Sequence, residues 1–233
     1  MDNVPKMRMR LRFARLKGAE GMSHLEQIKA LRDIAAASGL DCCPAKHGKN
    51  TVPKMSFGPA LSAGYESRCE YADLYLAQDC KEEVVMTKVG GVSSGAFSLL
   101  SVKRVPVYFP SIEASVGAAR YLIEAEFKGA LAQAAVDAFF ARESAPYTKP
   151  GPVGPDGKVG TEPGPTVDVR PLVMSADLDA AAGTLRLTLR LEPGKNAKPV
   201  DVLGVMAGRE LEIKRVVRED LYWLDSKGGL EII

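Results

Sequence analysis

The stretch Gly21-Met22-Ser23-His24-Leu25-Glu26-Gln27-Ile28 places one of the chain's two histidines at a helix-starting signal. An imidazole titrates near neutrality, so His24 is a candidate general acid or base, or a ligand for an anion. The positive end of a helix favours its neutral form. Ser23 and Glu26 need no such chemistry, because serine followed three residues later by glutamate makes a capping box. The loop Ala45-Lys46-His47-Gly48-Lys49-Asn50-Thr51-Val52-Pro53-Lys54 gathers Lys46, Lys49, Lys54 and Asn50 around a glycine. Glycine lets backbone donors approach a ligand, and lysines favour phosphate or carboxylate. If the loop folds back over the helix start, it joins Ser23 and His24 in one site; otherwise it is a solvated basic loop.

Other groups point away from chemistry. Gly91-Val92-Ser93-Ser94-Gly95 matches the hydrolase G-x-S-x-G pattern, but a helix precedes it and a strand follows, the reverse of a nucleophile elbow. Cys42, Cys43, Cys69 and Cys80 contain no C-x-x-C pair and read as reduced thiols. Beside Cys42, Cys43 and His47 the second half of a zinc knuckle is missing, so no metal site is assigned. No complete catalytic constellation emerges. The opening MDNVPKMRMR lacks the apolar core of a signal peptide, and no run approaches the ~18 apolar residues of a membrane helix. A cytoplasmic protein is expected. The net charge of +2 over 233 residues demands no nucleic-acid partner, so an anion must be met by local clusters.

Elements must position these groups. Met7 to Phe13 alternates apolar residues with Arg8, Arg10 and Arg12, the period of a strand with one buried face. A helix is expected over Ser23–Ser38, short strands at Pro53–Phe57 and Glu70–Leu76, a weak helix over Lys81–Val89, and a strand near Phe97–Val105. The second half repeats the order: strand Arg120–Phe127, helix Lys128–Arg142, strands Thr166–Met174 and Leu185–Leu191, a short helix from Pro199, and a strand over Leu211–Val217. Both halves reduce to βαββαβ. The expected fold is therefore α+β, two tandem ferredoxin-like domains with antiparallel four-stranded sheets, over residues 1–110 and 111–233. A Pro/Gly-rich mobile loop is expected over 144–165.

In that fold Arg8, Arg10 and Arg12 line an open sheet face beside Tyr71, Asp73 and Tyr75, and Arg170 lies on the matching face of the second domain. Rings that stack on bases beside guanidinium groups that meet phosphate suit single-stranded RNA. The same residues also suit a plain cross-strand charge pair between Arg10 and Asp73.

The start MRMRLRFARL, Ser23-His24-Leu25-Glu26, and Gly48-Lys49-Asn50-Thr51-Val52-Pro53-Lys54-Met55-Ser56-Phe57 resemble the radical-SAM-linked protein family. So do Gly64-Tyr65-Glu66-Ser67 with Glu70-Tyr71, Val167-Asp168-Val169-Arg170-Pro171-Leu172, and Lys198-Pro199 with Asp201-Val202-Leu203. That family is a domain of unknown function found beside, or fused to, cobalamin-binding radical SAM proteins. Glu26 stands where the family has aspartate, and Lys49, Thr51 and Val52 stand where its loop has an aromatic residue, a proline and a histidine. The resemblance implies an accessory protein that binds or presents substrate, RNA among the candidates, to a radical SAM partner encoded nearby. That partner would carry the iron-sulfur cluster, S-adenosylmethionine and cobalamin; none is assigned to this chain. The paired-domain plan also resembles the metal-independent endoribonucleases that process CRISPR repeats, which implies the alternative of His24 as general acid and base.

Overall fold

The structure, a computed structural model, describes residues 4–93, 95–151, 160, 162–192 and 197–233. The described chain divides into two compact units, Met1–Val116 with Val217–Ile233, and Gly117–Val216. The first unit contains β1 (Met7–Arg15), α1 (His24–Ala37), β2 (Pro44–His47), β3 (Asn50–Pro53), β4 (Met55–Phe57), β5 (Glu66–Leu76), α2 (Glu82–Val92), β6 (Phe97–Val105) and α3 (Ile112–Ser115). The second contains β7 (Ala118–Ala125), α4 (Gln133–Phe140), β8 (Pro146–Thr148), β9 (Thr166–Asp168), a 3-10 turn at Arg170–Leu172, β10 (Val173–Asp179), β11 (Thr184–Arg190) and α5 (Pro199–Ala207). β12 (Ile213–Leu224) begins in the second unit and ends in the first, where β13 (Leu230–Ile232) follows it.

This arrangement corrects the expectation of two tandem antiparallel ferredoxin-like sheets. The strands form a nine-stranded mixed sheet in the order β10-β11-β7-β12-β5-β1-β6, with β13 on β12 and β4 on β5. The decisive element is β12, which lies parallel to β5 with Val217 opposite Glu66 and Arg218 opposite Ser67. A sheet that is antiparallel throughout has no place for that pairing. The last strand was expected to stop at Val217 and close its own half; it continues for twelve residues in all. A second expected strand, Thr166–Met174, is broken by the 3-10 turn at Arg170-Pro171-Leu172. Proline cannot donate to a sheet ladder, and its fixed φ suits a turn.

Within the first unit the alternation of β1 is obeyed. Met7, Met9, Leu11 and Phe13 are buried with Ala72, Leu74 and Leu76 of β5 against Leu31 and Ile34 of α1 and Val85 and Val89 of α2. Phe13 and Phe97 meet edge to face at 6.5 Å. α1 starts with a complete capping box, in which the Ser23 hydroxyl accepts from the Glu26 backbone N–H and the Glu26 carboxylate accepts from the Ser23 N–H at 2.8 Å.

In the second unit Leu185, Leu187 and Leu189 of β11 pair with Ile123, Tyr121 and Ala119 of β7, and Val136, Phe139, Val202, Leu203 and Met206 of the helices are buried. The β10–β11 turn passes so close to β7 that a Cβ on Gly183, at φ +67°, would stand 2.8 Å from the Ala125 carbonyl oxygen. Of the loop expected over 144–165, residues 146–148 form β8, paired with β9. Residues 152–159 and 161 lie outside the described residues, as does Ser94 of the G-x-S-x-G match. Among the described residues no helix is long and apolar enough to cross a membrane.

Replacing Ser23 with alanine removes one half of the capping box and is expected to destabilise the protein by about 0.5–2 kcal/mol. Urea unfolding of S23A beside the wild type measures it; an unchanged midpoint contradicts the assigned cap.

Candidate functional site

Four polar side chains that the sequence left unremarked meet beneath the start of α1. Glu70 stands on the core-facing side of β5, in step with Ala72, Leu74 and Leu76, and is 2% exposed. It accepts from Arg218 Nη2 at 2.6 Å and from Gln27 Nε2 at 2.5 Å. Gln27 lies one turn into α1 and accepts in turn from Arg15 Nη1 at 3.1 Å. Arg15, opposite Ser67 on β5, also donates to the carbonyls of Ala19, Glu20 and Met22 and so shapes the loop that leads into α1. Arg218 donates to the carbonyls of Pro59 and Ala60, fixing the loop before β5.

The electrostatics of this row are those of a closed network. Burial raises the Glu70 pKa, but the Arg218 charge and hydrogen bonds from Ser67, Gln27 and Arg218 together outweigh it, so the carboxyl stays below its ordinary 4.5. Cys69 lies beside it with its thiol pushed up to about 12, first by burial, which makes it an inert core residue. Cys42 is likewise raised by burial, to about 11.

His24 stands at the first helical position, half-buried, with Nδ1 enclosed and without a hydrogen-bond partner among the described residues. Its pKa lies below the ordinary 6.5, chiefly because burial disfavours the imidazolium; Glu70 and Glu113 pull it upward and Arg218 and Arg15 push it down. The ring is therefore neutral near pH 7 and offers one donor and one acceptor. Its position is set by the capping box and by Gln27, which anchors the same turn to Glu70.

The other expected residues are placed elsewhere. β2 and β3 form a hairpin whose turn, at Gly48 and Lys49, is exposed, with Asn50 opposite His47. Lys46 reaches Thr51 at 3.4 Å, and Lys54 lies over the Tyr75 ring at 5.1 Å. Tyr75 is five residues along β5 from Glu70, roughly 16 Å at about 3.3 Å per residue, so Lys54 is not beside the network under His24.

Arg8, Arg10 and Arg12 do share the opposite face of β1 with Tyr71, Asp73 and Tyr75, but that face is covered. Arg8, 1% exposed, donates to the carbonyls of Phe109 and Pro110 at 2.8 and 3.1 Å. Arg10 makes two bonds to Asp73, at 2.8 and 3.0 Å, which is the cross-strand charge pair. Arg12 bonds the Arg68 carbonyl and Asp220 and lies 5.8 Å above the Tyr71 ring, while the Tyr71 hydroxyl donates to the Ile233 carbonyl. In the second unit Arg170 lies over the rings of Phe139 and Phe140 and donates to the Phe140 and Val173 carbonyls.

A signal for the missed residues was present. Arg15 and Glu70 occupy strand positions whose parity is apolar elsewhere, and Gln27 lies on the stripe of Leu31, Ile34 and Ala35. A charge on a face that must be buried announces a partner.

With the geometry in place, comparison with known families is decisive on one point. Residues 8–199 match the family described as "Uncharacterized protein conserved in bacteria (DUF2344)". The chain belongs to this family. No curated protein matches it. Both His24 and Glu70 of this DUF2344 chain lie inside the matched segment; Arg218 lies beyond it.

Removing either Glu70 or Arg218 alone, as E70A or R218M, strands a buried charge and is expected to cost about 3–5 kcal/mol, whereas E70L with R218M together costs less than either. Urea unfolding of the three variants measures this. Because the Glu70 pKa is depressed, its stabilisation is complete above 4.5 and is lost as the pH falls through the lower folded value. His24 has the same sign: stability falls as the pH drops from 6.5 towards the lowered pKa. Proton NMR of H47Q, which leaves one histidine signal, is expected to give a midpoint below 6.5; a midpoint above it contradicts the buried neutral ring.

Proposed function

We propose that this DUF2344 chain is an accessory protein that holds a substrate, with RNA as the leading class, for a partner radical SAM enzyme encoded nearby. The iron-sulfur cluster, S-adenosylmethionine and cobalamin of that reaction belong to the partner. The observation that carries the binding role is His24: a neutral, half-buried ring whose Nδ1 has no partner among the described residues, on the helix turn that Gln27 anchors to the buried Glu70 and Arg218. Such a ring recognises a group that can donate or accept one hydrogen bond, as a nucleobase edge does. Support for the partner comes from the sequence resemblance, whose segments run from Met7 to Leu203 and lie for the most part inside the DUF2344 match.

A second reading, a metal-independent endoribonuclease, draws on the same neutral imidazole, whose lowered pKa suits a general base at neutral pH. One preparation discriminates. The chain is co-expressed with the neighbouring radical SAM protein and purified with and without ribonuclease treatment, and the protein alone is incubated with structured RNA in EDTA beside H24A. The accessory reading expects a stable complex, salt-sensitive RNA retention weakened in H24A, and no cleavage. Cleavage by the wild type but not by H24A replaces it with the nuclease reading. Absence of both partner and RNA overturns it.

A further inference from the structure

On the face of the first unit opposite α1 and α2, a cleft of about 510 Å3 opens between Phe109 and Trp223, lined also by Arg10, by Ser115 of α3 and by Glu231 and Ile232. That volume lies within the range of small-molecule sites, about 300–1,000 Å3. Phe109 is 51% and Trp223 41% exposed, so two large aromatic side chains present surface there that burial in the core would otherwise claim.

The charge beneath the cleft is unbalanced. Arg8 and Arg10 both face Asp73, Arg8 Nε at 3.6 Å and Arg10 Nε at 2.8 Å, so two guanidinium groups share one fully buried carboxylate. One positive charge is left over. Arg10 commits Nε and Nη2 to Asp73, and its Nη1 makes no hydrogen bond among the described residues. Lys103, directly opposite Arg10 on β6, adds an exposed cation to the same face. Glu231, across from Trp223 on β13, is exposed and solvent-screened. Arg8, through the Phe109 and Pro110 carbonyls, holds the backbone that carries the Phe109 ring.

We infer that this cleft binds a nucleotide, its base against Phe109 and Trp223 and its phosphate towards Arg10 and Lys103. Aromatic faces accept any base, and a rigidly held guanidinium with free N–H donors suits a phosphate. The site uses residues distinct from His24 and does not depend on a radical SAM partner.

Trp223 is the only tryptophan in the chain, so its fluorescence reports the site directly. The purified full chain is titrated with AMP, GMP, CMP and UMP, with adenosine, with benzoate, and with a hexa-adenylate strand. Saturable quenching by the monophosphates is expected. Adenosine should bind at least fivefold more weakly, and only the phosphate-bearing ligands should weaken as salt rises from about 50 to 300 mM. F109A, which alters a half-exposed ring, should weaken AMP roughly tenfold, the loss of one stacked face. R10K tests the cation, and equilibrium dialysis with radiolabelled AMP checks W223F without the optical signal. Hexa-adenylate binding much tighter than AMP assigns the site to a strand; equal or weaker binding assigns it to free nucleotide, and both support the inference. No saturable quenching by any nucleotide, quenching by benzoate as strong as by AMP, or an unchanged F109A overturns it.

Discussion

The buried pair between Arg218 and Glu70 is the constraint on which the first unit depends. It joins a residue late in the chain to a strand in its first third, and both side chains are buried. A carboxylate in that position tolerates ionisation because the Arg218 charge and the hydrogen bonds from Ser67, Gln27 and Arg218 offset its burial. Each donor fixes something further: Arg218 the loop at Pro59 and Ala60, Gln27 the first turn of α1, and Arg15, through Gln27, the loop into that turn. β12 can run parallel to β5 with this register because the pair locks Arg218 beside Ser67.

His24 inherits its character from that network. The helix start that carries it is held from outside by Ser23 and Glu26 and from inside by Gln27, so the backbone from which the ring projects is fixed. Burial keeps it neutral, and the opposing pulls of Glu70 and Arg218 leave burial the largest influence. The network thus supplies a fixed platform and a dry flank, while the imidazole supplies the chemistry a ligand would meet. The opposite face of the same sheet shows a parallel device, where Asp73 is overmatched by Arg8 and Arg10 and the surplus charge faces an aromatic cleft.

Much of the local structure was legible in residue order. The alternation of Met7, Met9, Leu11 and Phe13 against three arginines predicts β1 and its buried face, and Ser23 with Glu26 predicts the cap that starts α1, because both rest on contacts within a few positions. The polar residues at Arg15, Gln27 and Glu70 were visible as breaks in apolar faces, but their partners were not. A break in a pattern says that a charge is buried without saying what neutralises it. The arginine face illustrates the converse error: alternation correctly puts Arg8, Arg10 and Arg12 on one side, yet cannot tell an open side from one covered by Phe109, Pro110 and the last strand.

By itself the sequence determined the capping box of Ser23 and Glu26, the inward face of β1 and β5, the start of α5 at Pro199 and the family to which the chain belongs. Only the tertiary structure decided that β12 crosses back to lie parallel to β5, that Arg218 meets Glu70 beneath the start of α1, and that Lys54 lies over Tyr75, away from that network. The physical reason is range. Caps and periodic faces are encoded within a turn or a few strand residues, whereas a strand's partner is chosen by which distant surfaces bury best together, and a pair separated by 148 residues leaves no trace in either neighbourhood.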